Sequence, residues 1–599
     1  MRTHYPRTPH LPWSPGAAAD DVRAADLSGL AGREVVVTEK LDGENTTLYR
    51  DGLHARSLDS GHHPSRAWVK GLQGRIGPLI PEGRRVCGEN LYARHSLAYT
   101  DLESWFYGFS VWDGEHCLDW DATTAFLDRL GIPAPRVLWR GTFDERALRK
   151  LPLDPARQEG YVVRTVAGFD RAAFGRHVAK WVRGGHVQTD THWMYAAVVE
   201  NGLGATAPLW AVRSGAEPDP AGLLEAVGLP AQDLTPRAAE RVAEAAGRLG
   251  SLGRSGDTRL AGVLAALLHD RRRAALAARL AAGPLGMPVA RRVADLVGLS
   301  TRLHRPYPDE DRRAGLVRMA AAADPGVLHA VAAATAPDAE AAEQCAWSLL
   351  HTEEAGLLGP DPLAPLRDGL RAALAGAAPE VADRCWAEAR EAYARGRIGT
   401  VEEAVAATWR LREGGFPQLV QLVGPSGSGK STFGRALPAD AVVALDDLRA
   451  ARGSRADQRA NADVLREGLD RLDAALAAAS GGRGGTTGGP GGGPGGTVVW
   501  DATSLTGPQR SLVRSVAARR DALVTQVVVL VEEDELVRRN RSRAHPVPAE
   551  VLAGQLRRFV PPYAGQEAHR TWYVGAAGTV EDTAGGPVGR RGARTGQEA

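Results

Sequence analysis

The octapeptide Gly424-Pro425-Ser426-Gly427-Ser428-Gly429-Lys430-Ser431 constrains this chain more than any other stretch. It fits the pattern GxxxxGKS, follows the apolar run 419–423 and opens a segment of helical character. In such a loop, backbone N–H groups and a helix N-terminus cradle phosphate, the lysine reaches the outer phosphates, and the serine hydroxyl serves Mg²⁺. Strands at 441–445, 497–500 and 526–530 alternate with helices at 456–479 and 508–520. That alternation predicts an α/β domain with a parallel sheet over 416–576. The tract 481–496 is Gly/Pro/Thr-rich and cannot bury a core. It is expected to be a disordered insertion, and 577–599 a disordered tail.

With 599 residues, several domains are expected. There are 73 basic and 71 acidic residues, a net charge of +2, so any basic surface for nucleic acid must be local. Cys87, Cys117, Cys345 and Cys385 lie far apart with no CxxC pair. This argues against a zinc ribbon or a disulfide framework and for a reducing, cytoplasmic setting. No apolar run is long enough for a membrane span, and the first residues lack the apolar core of a signal peptide.

Residues 1–200 read as an α+β domain on antiparallel strands at 34–38, 46–49, 85–88, 105–112, 160–165 and 177–182, with helices at 120–130 and 145–150. A β-branched run leads into Lys40, Asp42-Gly43 predicts a hairpin turn, and 46–49 a return strand. A lysine attacks only after losing its proton. Burial and neighbouring cations lower its pKa; a carboxylate raises it. Residues 205–412 are Ala/Leu/Arg-rich with helical spacing at 260–280, 289–297, 314–333 and 365–377, predicting an all-α middle domain.

Six segments follow in order: Lys40-Leu41-Asp42-Gly43, then 53–57 with Arg56, 87–95 with Glu89, the aromatic 105–113, 159–164 led by Glu159, and 177–183 with Lys180. The set resembles the nucleotidyltransferase motifs of covalent ligases, the RNA ligase family most closely. The resemblance implies that Lys40 attacks the α-phosphorus of ATP, giving a lysyl–AMP adduct, and that Lys180 contacts the α-phosphate. Glu159 would hold Mg²⁺ (or Mn²⁺), Glu89 the ribose hydroxyls, Phe109 the adenine face and Arg56 a phosphate. One departure is Val182, with Arg183 beyond it, where the family often has a second lysine. DNA ligases and capping enzymes usually continue into an OB-fold, whereas this chain turns helical after residue 200.

In the C-terminal domain, Asp446 and Arg449 follow the second strand. They resemble the acceptor site of 5′-OH polynucleotide kinases, with Asp446 as general base and Arg449 as substrate clamp. In the same resemblance Gly424, Gly427, Gly429, Lys430, Ser431 and Thr432 bind the donor nucleotide, with Ser431 on the metal. Arg539 and Arg543, four apart and expected on one helix face, form an arginine lid, and Asp501 lies near the acceptor. In the middle domain, His269-Asp270 superficially resembles the metal-binding pair of HD phosphohydrolases, without a convincing further ligand set.

The expected whole is an RNA repair protein. Its kinase would use ATP or another NTP to phosphorylate RNA 5′-OH ends, and its ligase would join the 5′-phosphate to a 3′-OH. A phosphatase that heals the 3′ end would be a separate protein. A DNA nick-repair kinase–ligase, an RNA-end sensor that turns over poorly and a small-molecule kinase remain alternatives.

Overall fold

The computed structural model describes residues 2–19, 21–58, 63–154, 156–185, 197–306, 309–453, 461–480, 495–543 and 545–584. The chain forms two compact units, Met1–Val263 and Leu264–Ala599, divided inside the helix Gly256–Leu267. Most of the tract 481–496 and the end of the tail lie outside the described residues.

Among the described residues the first unit holds ten strands: β1 (Glu34–Lys40), β2 (Glu44–Tyr49), β3 (Gly52–Ala55), β4 (Arg84–Asn90), β5 (Phe106–Asp113), β6 (His116–Cys117), β7 (Val137–Thr142), β8 (Gly160–Thr165), β9 (Phe169–Asp170) and β10 (Val178–Val182). They form two antiparallel sheets, ordered β10-β8-β1-β7 and β3-β2-β4-β5-β6-β9. β1 and β2 therefore do not form the hairpin expected of Asp42-Gly43. The chain crosses there from one sheet to the other, because β1 finds its partners in β7 and β8 and β2 in β3 and β4.

Alternation along each strand separates two faces. Val35, Val37, Tyr161, Val163 and Ala179 pack outward against Leu11, Leu30 and Trp13 of the N-terminal segment. On the far side of the second sheet, Leu48, Val86, Phe106 and Val111 pack against the helices Ala67–Ile76 and Trp120–Leu130. The inner faces meet in a cluster of Cys87, Trp112, Phe169, Phe174 and Val178, with Tyr5, Phe109 and Val162 beside it. Lys40, Val162 and Lys180 share the inner parity.

Between β10 and the second unit's sheet the described residues form helices. The segment 260–280 is not one helix: Gly256–Leu267 ends before His269-Asp270, and Arg273–Ala281 begins anew. The segment 314–333 also divides, into Asp309–Ala320 and Pro325–Thr335. Asp324 caps the second helix, accepting from Gly326 and Val327 N–H at 2.9 and 3.2 Å, with proline at its first position.

The second unit's sheet comprises β11 (Gln418–Val423), β12 (Ala441–Ala444), β13 (Thr497–Asp501), β14 (Leu523–Val529), β15 (Arg570–Val574) and β16 (Val580–Ala584), ordered β12-β13-β11-β14-β15-β16. The first five are parallel, and β16 runs antiparallel to β15. The sheet is thus mixed, and part of the expected disordered tail is an edge strand. Its polar sequence hides it, because ladder pairing and the Arg291–Asp582 ion pair at 2.6 Å hold it rather than apolar burial.

Both faces of this sheet are covered, as parallel strands require. Ala277, Met287 and Ala294 pack on Val423, Val528, Leu530 and Tyr573. Trp500, Leu419 and Val524 pack on Leu448, Leu472 and Val513 of the opposite helices. Trp500 is 1% exposed at the centre of that layer. Trp500→Ala is expected to cost the second unit about 3–5 kcal/mol, read as a lower urea midpoint. No helix among the described residues is long and apolar enough to cross a membrane.

Candidate functional site

The first unit gathers its predicted residues in the gap between the two sheets. Lys40 ends β1 opposite Gly160, so Glu159 stands at the start of β8 beside it. The Lys40 ammonium donates to Glu159 Oε2, and Glu159 is buried. Lys180 lies on β10 opposite Val162, which in turn faces Thr38 on β1, so both lysines project into the gap. Glu89 lies on β4 between Asn45 and Tyr107. Phe109 occupies the β5 bulge, where pairing steps from Cys87–Ser110 to Gly88–Gly108. Its ring meets Tyr5 edge-on at 5.2 Å and is only half buried. Arg56 follows β3, exposed, close enough that its charge lowers the Lys180 amine.

The crossing that carries Lys40 depends on Gly43. A Cβ there would lie 2.5 Å from Asn90 O and 2.7 Å from Leu91 Cδ2, so only glycine lets the chain pass this close to β4. Asp42 Oδ2 accepts from Leu97 N–H at 2.8 Å and fixes the crossing. Gly43→Ala is expected to cost about 1–3 kcal/mol, seen as a lower urea midpoint of the first unit.

The charges in the gap are coupled. Burial works against the Lys40 ammonium, but Glu159, Glu89 and Asp42 outweigh it and hold the amine above its ordinary value. Burial lowers Lys180, and Lys40 lowers it further. The nearby cation Lys180 does not bring Lys40 down; the carboxylates dominate, so Lys40 stays protonated until they are engaged elsewhere. Burial pushes Glu89 up to about 8, with Glu159 and Asp42 adding to it and Lys40 and the Gly43 N–H opposing. Glu89 therefore holds its proton more tightly than an ordinary carboxylate.

Two residues of the N-terminal segment were missed. His10 is buried beside Lys180: Lys180 N–H donates to Pro9 O at 2.9 Å, and Leu11 N–H to Lys180 O at 2.8 Å. His10 Nε2 stands 3.3 Å from Asp21 Oδ2. A lone histidine among prolines gives no local signal of this pairing.

The second unit builds a phosphate cradle at the C-terminal end of β11. Gly424, Gly427 and Gly429 have φ of 156°, 85° and 94°, a backbone that favours glycine. Lys430 begins the helix Lys430–Ala436 and is buried; Ser431 and Thr432 follow, Thr432 exposed. The buried Ser428 hydroxyl has no hydrogen-bond partner. Ser431 Oγ donates to Asp501 Oδ1 at 3.0 Å, which sets Asp501, at the end of β13, beside the cradle's hydroxyl. These groups fit a nucleotide phosphate and a divalent cation. Burial lowers the Lys430 amine, Arg543 adds to this, and Asp501 and Asp446 oppose it.

Asp446 and Arg449 lie on the helix Leu445–Ala451 that follows β12, with Arg449 Nη1 donating to Asp446 Oδ1 at 2.5 Å. Arg539 reaches over the loop: its Nη1 would be 3.9 Å from a Cβ at Gly429. Arg543 lies beyond the end of the helix Glu533–Arg541. The two arginines do not share a helix face, because the chain turns at Ser542. An unforeseen contact is Gln555 Oε1, which accepts from the loop's Ser426 N–H at 2.8 Å. His269 lies 6.4 Å from the ring of His304, and among the described residues no trio of His, Cys, Asp or Glu is set to hold a metal.

Among solved structures the chain is similar to Naegleria gruberi RNA ligase. A mutant with ATP and Mn is 17% identical over 28% of this chain and 56% of that one, TM-score 0.21. The ligase with PPi is 18% identical over 28% and 56%, TM-score 0.22. Another mutant, with AMP and Mn, is 16% identical over 27% and 52%, TM-score 0.21. The chain thus spans about half the length of these ligases. No curated protein matches it. The sequence model of the RNA ligase family matches residues 33–182, and that of the AAA domain matches 419–562. The chain carries an RNA ligase domain at its N-terminus and a P-loop, kinase-like AAA domain at its C-terminus.

Proposed function

We propose that the chain heals and seals RNA ends. The observation that carries this reading is the convergence of Lys40, Glu159, Glu89 and Lys180 in one gap of a domain matched by the RNA ligase family, on a chain that also holds a complete P-loop. In the second unit, Asp446 takes the proton of an RNA 5′-OH, and the γ-phosphate of ATP or another NTP passes to that oxygen as the diphosphate leaves. Lys430 and Arg539 hold the donor phosphates, and Arg449 holds the acceptor strand. In the first unit, the Lys40 amine, once deprotonated, attacks the α-phosphorus of ATP and pyrophosphate leaves. The AMP then passes to the RNA 5′-phosphate, and a 3′-OH displaces it, closing the phosphodiester. Lys180 and Arg56 offset phosphate charge, Glu89 hydrogen-bonds the ribose hydroxyls, and Phe109 stacks on the base.

Glu159 in the first unit, and Ser431 with Asp501 in the second, would hold Mg²⁺ or Mn²⁺, which offsets phosphate charge. At Glu159 a cation would also release the carboxylate from Lys40.

The test is one RNA strand with 5′-OH and 3′-OH ends, incubated with ATP and Mg²⁺. Circular or multimeric product is expected from RNA and far less from the same DNA strand. Equal joining of DNA would shift the substrate to DNA ends; no joining even of 5′-phosphorylated RNA would defeat the sealing assignment.

A further inference from the structure

The second unit contains a cavity of about 910 Å³ that the P-loop residues do not line. Arg302, Arg318, Arg395 and Arg514 line it with Glu391 and Glu567. Both carboxylates are committed. Glu391 accepts from Arg318 at 2.6 Å and from Arg395 at 2.8 Å. Glu567 takes the fully buried Arg510 at 2.6 and 2.8 Å. Arg302 and Arg514 donate instead to uncharged oxygens, Gln566 Oε1 at 3.3 Å and the Glu567 carbonyl at 3.0 Å. Arg514 Nε is buried without a hydrogen-bond partner. The cavity therefore carries surplus guanidinium charge, which suits phosphate oxygens.

Its position narrows the ligand. Gly507 and Pro508, the start of the helix Gly507–Arg519, form part of the wall. That helix follows β13 and Asp501, and on the way Thr503 O accepts from the P-loop's Gly424 N–H at 3.0 Å. From Thr503 to Gly507 the chain can extend at most roughly 14 Å. The wall thus starts close to the phosphate-transfer centre, on the same edge of the sheet. An acidic peptide shares the charge but has no chemical reason to lie beside an acceptor hydroxyl.

We propose that this cavity binds the phosphodiester backbone of the RNA strand whose 5′ end the P-loop site phosphorylates, a few nucleotides from that end. The proposal rests on the kinase reading and gives it a length dependence. It is tested with the full chain, Arg302→Ala and Arg302→Ala/Arg514→Ala, on a 5′-OH RNA oligonucleotide long enough to reach the cavity and on a 5′-OH dinucleotide. For the double variant the oligonucleotide KM is expected to rise about tenfold, with KM for ATP and for the dinucleotide unchanged. The salt slope of oligonucleotide binding, followed by anisotropy, should fall by about 1.4, two phosphate contacts at about 0.7 each. Arg302→Ala, at an exposed position, should show part of both effects and so guards against a folding defect at Arg514. An unchanged oligonucleotide KM and salt slope, equal losses on both acceptors, or displacement of labelled RNA by an acidic peptide as readily as by RNA would overturn the proposal. A wild-type chain that phosphorylates neither acceptor sinks the kinase reading alone, and the arginine-dependent salt slope then still decides whether RNA occupies the cavity.

Discussion

Lys40→Ala is expected to abolish covalent labelling of the protein by α-labelled ATP, to the background of a denaturing gel. On the proposed mechanism the bond to AMP is made by this nitrogen, so no label should remain. Lys40→Arg separates nucleophile from charge. A guanidinium keeps a cation beside Glu159 and Glu89, so the gap stays folded, but it does not deprotonate in a protein and should give no label. Lys180→Ala leaves the nucleophile and removes a cation from the developing phosphate charge, with an expected loss of about 10²–10³ in the rate of labelling. Glu159→Ala removes both the partner of the Lys40 ammonium and the anticipated metal carboxylate. It should restore no labelling when the metal is raised, whereas a purely structural ion pair would predict lost stability with normal labelling of the folded fraction. A label that survives Lys40→Ala refutes the nucleophile.

How far these sites were readable in the chain depended on the range of the interaction. The strand Gly160–Thr165 and the helix Trp120–Leu130 match their sequence bounds, because the signals that set them lie within a few residues. The P-loop was readable because its glycines and its lysine act within eight residues. Asp42-Gly43 was misread because a tight turn and a passage between sheets use the same residues. What separates them is Asn90 O, close to where a Gly43 side chain would begin. The direction in which the Lys40 pKa moves depends on carboxylates at positions 42, 89 and 159, brought together only by two sheets. His10, Gln555 and the arginines of the cavity share this long range: Arg302, Arg395 and Arg514 lie far apart in the sequence and meet only in the fold. The helical segment beyond residue 264 likewise gave its spacing in sequence, but not that it would cover a face of the P-loop sheet.

In the second unit, Lys430→Ala and Asp446→Ala are each expected to remove transfer of γ-label to a 5′-OH oligonucleotide, for different reasons that can be told apart. Lys430 is buried at the cradle and, on the proposed reading, acts on the donor, so its loss should cost about 10²–10³ in rate and also slow any hydrolysis of ATP without acceptor. Asp446 is 70% exposed and pairs with Arg449, which leaves it open to an incoming hydroxyl. As the group that takes the proton, it should cost about 10²–10⁴ in transfer, while acceptor-free hydrolysis and ATP binding stay intact. Asp447, its neighbour in the first turn of the same helix, is the control for simple N-terminal charge, since carboxylates there favour the helix whatever the chemistry. If Asp447→Ala lowers transfer as far as Asp446→Ala, the pair is a helix cap and the general base lies elsewhere. If Asp446→Ala alone silences transfer, the exposed carboxylate at the end of β12 is the acceptor's base, and the surplus arginines of the nearby cavity gain an RNA strand to hold.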